Sequence, residues 1–112
     1  MEVMIRSSPF GGKGRTRLLL ALRLLSESYS RELARVLEMP FSSVQKAVRS
    51  LEKDGLVAGR ALGRTRVFQL DPRYFAYEEI QRLLLRLTEP EFELKTRVST
   101  LRRRPRRTGK PL

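Results

Sequence analysis

Two closely spaced helices are encoded by residues 30–57, which read SRELARVLEMPFSSVQKAVRSLEKDGLV. The first is short and amphipathic, and Pro40 ends it because proline cannot continue a helix. The second begins at Pro40 or Phe41 and ends at Asp54-Gly55, since glycine readily takes the conformation needed at a helix end. Its apolar residues recur at the spacing of a single buried face: Val44, Ala47, Val48 and Leu51.

The polar side of the second helix carries groups with which proteins bind DNA. Ser42, Ser43 and the helix N-terminus can donate to phosphates. Gln45, Lys46 and Arg49 lie where side chains reach base edges in a major groove about 12 Å wide. A charged helix face is usually only solvated. The tight turn before this helix and the basic segment after it favour nucleic-acid contact instead.

A basic β-hairpin is predicted directly after these helices, with strands over residues 56–61 and 65–70 and a short glycine-containing loop. Phe68 and Leu70 share a face by the period of two and are expected to face the core. The hairpin residues predicted to follow the DNA backbone or to enter the minor groove are Arg60, Arg64, Thr65 and Arg66.

Leucine-rich helices are predicted on both sides of this unit, over residues 15–26 and 73–87. The first is apolar around nearly its whole circumference, which predicts burial on two sides, the second of them by another subunit. Thr88 is expected to cap a further helix. The predicted dimer interface takes residues from both long helices: Leu18, Leu22, Tyr77, Ile80, Leu84 and Leu87.

The chain of 112 residues has room for one small domain with appendages. We predict a flexible arm over residues 1–14 and a DNA-binding domain with its dimerisation helix over residues 15–88. An accessory helix over 89–101 and a disordered basic tail over 102–112 follow. The order of helix, short helix, tight turn, helix and basic hairpin predicts a winged helix-turn-helix, mainly α with a small β-hairpin.

Charge and composition indicate a polyanionic partner. The chain has 24 Lys and Arg residues against 12 Asp and Glu residues, a net charge of +12. Residues 73–101 carry as many acids as bases, which favours a neutral dimerisation element between basic regions. The basic tail over 102–112 is interpreted as a solubilising segment or as an additional DNA-binding arm.

The absences in the composition argue against other classes of function. Without cysteine or histidine the chain lacks thiolate and imidazole ligands and the usual general base, so we expect no metal, no cofactor and no enzymatic activity. No apolar segment is long enough for a membrane span, so a cytoplasmic location is expected. The absence of asparagine and cysteine, together with many charges, indicates a heat-adapted source.

The sequence resembles the ArsR/MarR-like winged-helix transcriptional regulators of bacteria and archaea over about residues 10–88. The resemblance lies in RELA on the first helix of the pair, SSV at the start of the second, LEKDGLV before the wing, and GRTRVFQLDP at residues 63–72. It implies a homodimer that docks two recognition helices in successive major grooves of double-stranded DNA. It also implies DNA contacts for the polar residues of the second helix and for Arg64 and its neighbours.

Two residues depart from the family pattern. Pro40 stands where serine or threonine usually caps the recognition helix, and Phe41 stands where a polar DNA-facing residue is common. Phe41 is therefore expected to tuck under the helix and is left out of the predicted site. Members of the family that sense metals use cysteine and histidine ligands, which are absent here.

Two other functions remain open beside a sequence-specific regulator. A winged helix that serves as a protein-interaction module would bind a partner chain through residues 77–101 and would not need converging basic side chains. A chromosome-coating protein would bind DNA with an affinity governed by salt and indifferent to sequence. Arg31 and Arg35 are interpreted as either phosphate contacts or solvated surface.

Overall fold

The computed structural model describes residues 10–103, within which the chain forms five helices and one three-stranded antiparallel sheet. The elements are α1 (Lys13–Leu25), β1 (Glu27–Tyr29), α2 (Ser30–Leu37), α3 (Phe41–Lys53), β2 (Val57–Leu62), β3 (Thr65–Leu70), α4 (Tyr77–Leu87) and α5 (Phe92–Arg103). Residues 1–9 of the predicted arm and 104–112 of the predicted tail lie outside the described range. No helix among the described residues has both the length and the apolar character needed to cross a membrane.

The helix pair α2 and α3 forms the predicted helix-turn-helix. At the end of α2, Glu38 takes the left-handed conformation with φ of 55°, and the N–H of Met39 donates to the carbonyl of Ala34 at 3.0 Å. Gly55, with φ of 83°, follows the end of α3. The buried residues of α3 are those predicted from the spacing: Val44, Ala47, Val48 and Leu51.

The sheet is larger than the sequence predicted. Leu62 pairs with Thr65, so the hairpin loop consists of Gly63 and Arg64 alone, and Gly63 has the positive φ that a two-residue loop requires. The segment Glu27–Tyr29 adds a third strand on the other side of β3. Three residues are too few for a period of two to be recognised, and the partner strand lies about forty residues away in the sequence.

The core is built around α1. This helix packs against α3, α4, α5 and the sheet, and Leu18 and Leu22 are fully buried. The second surface covering α1 therefore comes from the C-terminal helices of the same chain, and the prediction that another subunit supplies it is wrong. Leu84 and Leu87 are buried in the same core, while Tyr77 and Ile80 are half-buried against it.

A turn replaces the first residues of the predicted fourth helix, which begins at Tyr77 rather than at Arg73. The carboxylate of Asp71 accepts hydrogen bonds from the backbone N–H of Arg73 at 2.9 Å and from its guanidinium at 3.1 Å. These bonds, led by the one from the side chain, hold the pKa of Asp71 below its ordinary value. Residues 72–76 form turns and a bend between β3 and α4.

The last helix, α5, packs on its own domain through the buried residues Leu94 and Val98. It continues to Arg103, so the first two residues of the predicted tail are helical. Thr88 does not cap it. The Thr88 hydroxyl donates to the carbonyl of Leu85 at 2.6 Å and so closes the end of α4.

Part of the arginine content serves the fold rather than a partner. Arg15 pairs with Asp54 at 2.8 Å and ties the start of α1 to the end of α3. Three other guanidinium groups donate to carbonyls in the last turns of α1 and α2: Arg17 to Leu37, Arg97 to Val36 and Arg102 to Leu24. The net charge therefore overstates the number of cations available to a polyanion.

Thr16 is a position at which we expect stability to be gained. It is buried on α1, and its hydroxyl has no hydrogen-bond partner within the described residues. Because a buried hydroxyl without a partner is costly and valine has nearly the same shape, Thr16→Val is expected to raise the free energy of unfolding by about 1 kcal/mol. Chemical denaturation measures the change. Thr100→Val, at an exposed position of α5, is the matched control, for which a change of less than about 0.5 kcal/mol is expected.

Candidate nucleic-acid interface

The outer face of α3 is a stripe of polar and basic side chains. With 3.6 residues per turn, the residues opposite the buried face are Ser42, Lys46, Arg49 and Lys53. All four are exposed, whereas the predicted residues Ser43 and Gln45 are half-buried on the two flanks. Within residues 10–103, neither Lys46 nor Arg49 takes part in an ion pair. Their cationic groups are therefore available to a partner.

Three polar contacts fix α3 against its neighbours. Arg15 of α1 donates to the hydroxyl of Ser50. On another flank, the hydroxyl of Ser30, the first residue of α2, donates to Oε1 of Gln45 at 2.8 Å. The third contact reaches the hairpin, where Arg66 donates to the carboxylate of Glu52 at 2.7 Å. The stripe is thus presented on a helix that α1, α2 and the hairpin hold in place.

The wing is formed by β2, β3 and their loop, and its arginines differ in whether they already pair with a carboxylate. All four predicted wing residues are exposed, including Thr65. Arg60 pairs with Glu27 at 3.0 Å and Arg66 with Glu52 at 2.7 Å, while Arg64 at the tip has no ion-pair partner in the part of the chain that the structure describes. Arg64 is therefore the wing cation most directly available to a phosphate.

The Arg66–Glu52 pair depends on a glycine. A Cβ atom at Gly59 would lie 2.5 Å from Nη2 of Arg66, 2.8 Å from Cε1 of Phe68 and 2.9 Å from Oε2 of Glu52. The missing side chain lets the guanidinium cross β2 while it stays 5.6 Å from the centre of the Phe68 ring. Sequence reasoning missed Glu52, and the available signal was Gly59 inside a strand, which marks a close approach.

A groove of about 360 Å³ runs between the N-terminal half of α3 and the wing. Arg31, Arg64 and Arg66 line it together with Gln45 and Phe41, and no acidic side chain of residues 10–103 does. The sequence left open whether Arg31 and Arg35 of α2 contact phosphates or are only solvated. Arg31 lines this groove, and Arg35 does not. Its charge and its position beside the stripe make the groove part of the same surface.

Phe41 contributes to this surface, contrary to the expectation that it tucks under the helix. It is the first residue of α3 and is 41% exposed. The guanidinium of Arg31 lies 5.0 Å from the centre of its ring. The buried face of α3 begins only at Val44, and Phe41 lies four residues before Gln45, on the side that faces the wing.

The fold is similar to that of a solved structure. The adhesin competence repressor from Streptococcus pyogenes superposes with a TM-score of 0.60 and 17% sequence identity, over 89% of this chain and 75% of the repressor chain. No family model and no curated protein matches the sequence. At this identity the likeness shows the fold: the chain is a winged helix, as the sequence predicted.

Proposed function

We propose that the chain is a sequence-specific double-stranded DNA-binding transcriptional regulator that acts as a homodimer. The observation that carries the proposal is the outer stripe of α3, whose cations have no partner within residues 10–103 and lie beside a basic wing. An α-helix fits the major groove of B-DNA, where Lys46 and Arg49 would reach bases or phosphates. The similarity in fold to a protein named as a repressor supports the same function.

The wing would contact the flanking backbone or minor groove. Arg64 can bind a phosphate without losing an ion pair to any described residue. Arg60 and Arg66 can exchange their carboxylate partners for phosphates, because exposed ion pairs contribute only about 0–1 kcal/mol each. The acids Glu27 and Glu52 would then hold the wing in place before DNA binds.

The homodimer is proposed to use exposed apolar side chains of the C-terminal helices instead of the buried leucines. Leu83 and Leu85 on α4 are about half exposed, and Phe92 at the start of α5 is 72% exposed. Residues 73–101 carry equal numbers of acids and bases, so two copies of this segment do not repel each other strongly. Pairing there would give one α3 to each of two half-sites.

The proposal is tested by selecting binding sites from a random duplex pool in about 150 mM salt, where the screening length is about 8 Å. We expect an enriched inverted repeat whose half-sites are about one helical turn apart. Retention without enrichment would replace the proposal with a chromosome-coating function. Failure to retain DNA would favour a protein-interaction module and would contradict the proposal.

A further inference from the structure

We infer that Phe41 and Gln45 together read one thymine in the major groove, with Phe41 contacting its C5-methyl group and Gln45 donating to its O4. The inference rests on the proposed function of α3 as the recognition helix. It assigns a role to Phe41, an apolar residue on a cationic surface.

The two side chains are placed to contact one base. They are four residues apart on α3 and therefore adjacent on one side of the helix. Both line the groove between α3 and the wing. On the major-groove edge of thymine, the C5-methyl group and the O4 acceptor are likewise neighbours. The spacing of an apolar group and a donor on the protein thus matches that of a methyl group and an acceptor on the base.

The residues around Phe41 indicate which apolar group its ring contacts. The Arg31 guanidinium lies 5.0 Å from the centre of the exposed Phe41 ring, and Arg64 and Arg66 line the same groove. These charges attract a polyanion, so the apolar group that covers the ring should belong to that polyanion. In the major groove of duplex DNA, the apolar group on a base edge is the methyl of thymine.

The hydrogen bond from Ser30 determines which end of the Gln45 amide faces the base. Because the Ser30 hydroxyl donates to Oε1 of Gln45, the amide NH₂ group is the end left to face a base. A glutamine that reads adenine uses both ends of its amide, accepting from N6 and donating to N7. A glutamine held as a donor instead matches an acceptor such as O4 of thymine. Guanine also presents an acceptor, O6, but has no methyl group, so the contact with Phe41 selects thymine over guanine.

Deoxyuridine, which lacks only the C5-methyl group, provides a test that changes the DNA and leaves the protein intact. In the duplex obtained by selection, each thymine of one half-site is replaced in turn, and the dissociation constant is measured by fluorescence anisotropy. Burial of one methyl group predicts binding about three- to fivefold weaker at the thymine that Phe41 contacts. Phe41→Ala should abolish this difference. Phe75→Ala, which removes a 91% exposed ring before α4, should preserve it.

Two further substitutions test the role of Gln45. Replacing the contacted T·A pair by 5-methylcytosine·guanine keeps the methyl but puts an amino donor in place of O4, so wild type should bind more weakly and Gln45→Ala should be less affected. Ser30→Ala frees Oε1, and repeated selection should then accept adenine alongside thymine at this position.

The outcomes separate the inference from the proposed function. If no sequence is enriched, the proposed function fails. If a site is enriched but Phe41→Ala removes no deoxyuridine effect at any position, the reading of thymine is overturned. The same conclusion follows if Phe41→Ala weakens thymine and deoxyuridine duplexes equally, as it would if the ring were a wedge between base steps.

Discussion

Leu84→Asp is expected to unfold the protein rather than produce a folded monomer. Leu84 is completely buried between α4 and the core around α1. Loss of its packing costs about 2–5 kcal/mol, and an unpaired buried carboxylate adds at least about 3 kcal/mol. Domains of this size have a free energy of unfolding of about 5–15 kcal/mol, so little or no stability should remain. Circular dichroism and chemical denaturation measure the loss.

The neighbouring position supplies the matched control. Leu83 is 42% exposed, so a carboxylate at this position stays in water and Leu83→Asp should remain folded. If the outer face of α4 forms the proposed dimer, the same variant should sediment as a monomer at concentrations where the wild type is a dimer. A folded Leu84→Asp variant would contradict the placement of Leu84 in the core. A persistent Leu83→Asp dimer would contradict the proposed dimer surface.

These adjacent positions mark the limit of what the sequence could predict. The helical spacing of Tyr77, Ile80, Leu84 and Leu87 places them on one apolar face, which the structure packs against the core. A helical period does not say whether such a face is covered by the same chain or by a second one. Which chain covers the face depends on how α5 packs back onto the domain, where its buried residues Leu94 and Val98 help to cover α1.

The candidate interface also has one part that the sequence could predict and another part that it could not. The outer stripe of α3 could be predicted because its residues follow from the buried positions within one helix. The contacts of Ser30 with Gln45 and of Arg66 with Glu52 join residues 15 and 14 positions apart, across different elements. They depend on how α2 and the wing pack against α3, which no local period encodes. The position of Phe41 was missed because only the packing of α3 decides which side of its first turn stays open.

Arg49→Ala is expected to cause the largest loss of DNA binding among the single substitutions on α3. The side chain is exposed on the outer stripe, four residues beyond Gln45. If Arg49 contacts a guanine through O6 and N7, its removal should weaken binding to the selected site by about 1–3 kcal/mol, or about 5- to 150-fold. Titration against duplexes changed at one base pair at a time should show that the preference is lost at a single position.

Arg82→Ala is the control with the same change in charge, on a different element. Because α4 carries the proposed dimer surface, sedimentation must first show that this variant forms the same dimer as the wild type. Arg82 is exposed on α4, where its weak pair with Glu78 spans 4.0 Å. At about 150 mM salt its contribution to long-range attraction is screened, so a change of less than about twofold is expected. The two roles open to Arg49 also differ in salt dependence. If Arg49→Ala instead weakens all duplexes equally and lowers the slope of log K against log salt by about one, Arg49 binds a phosphate, and the specificity of α3 lies in its other residues.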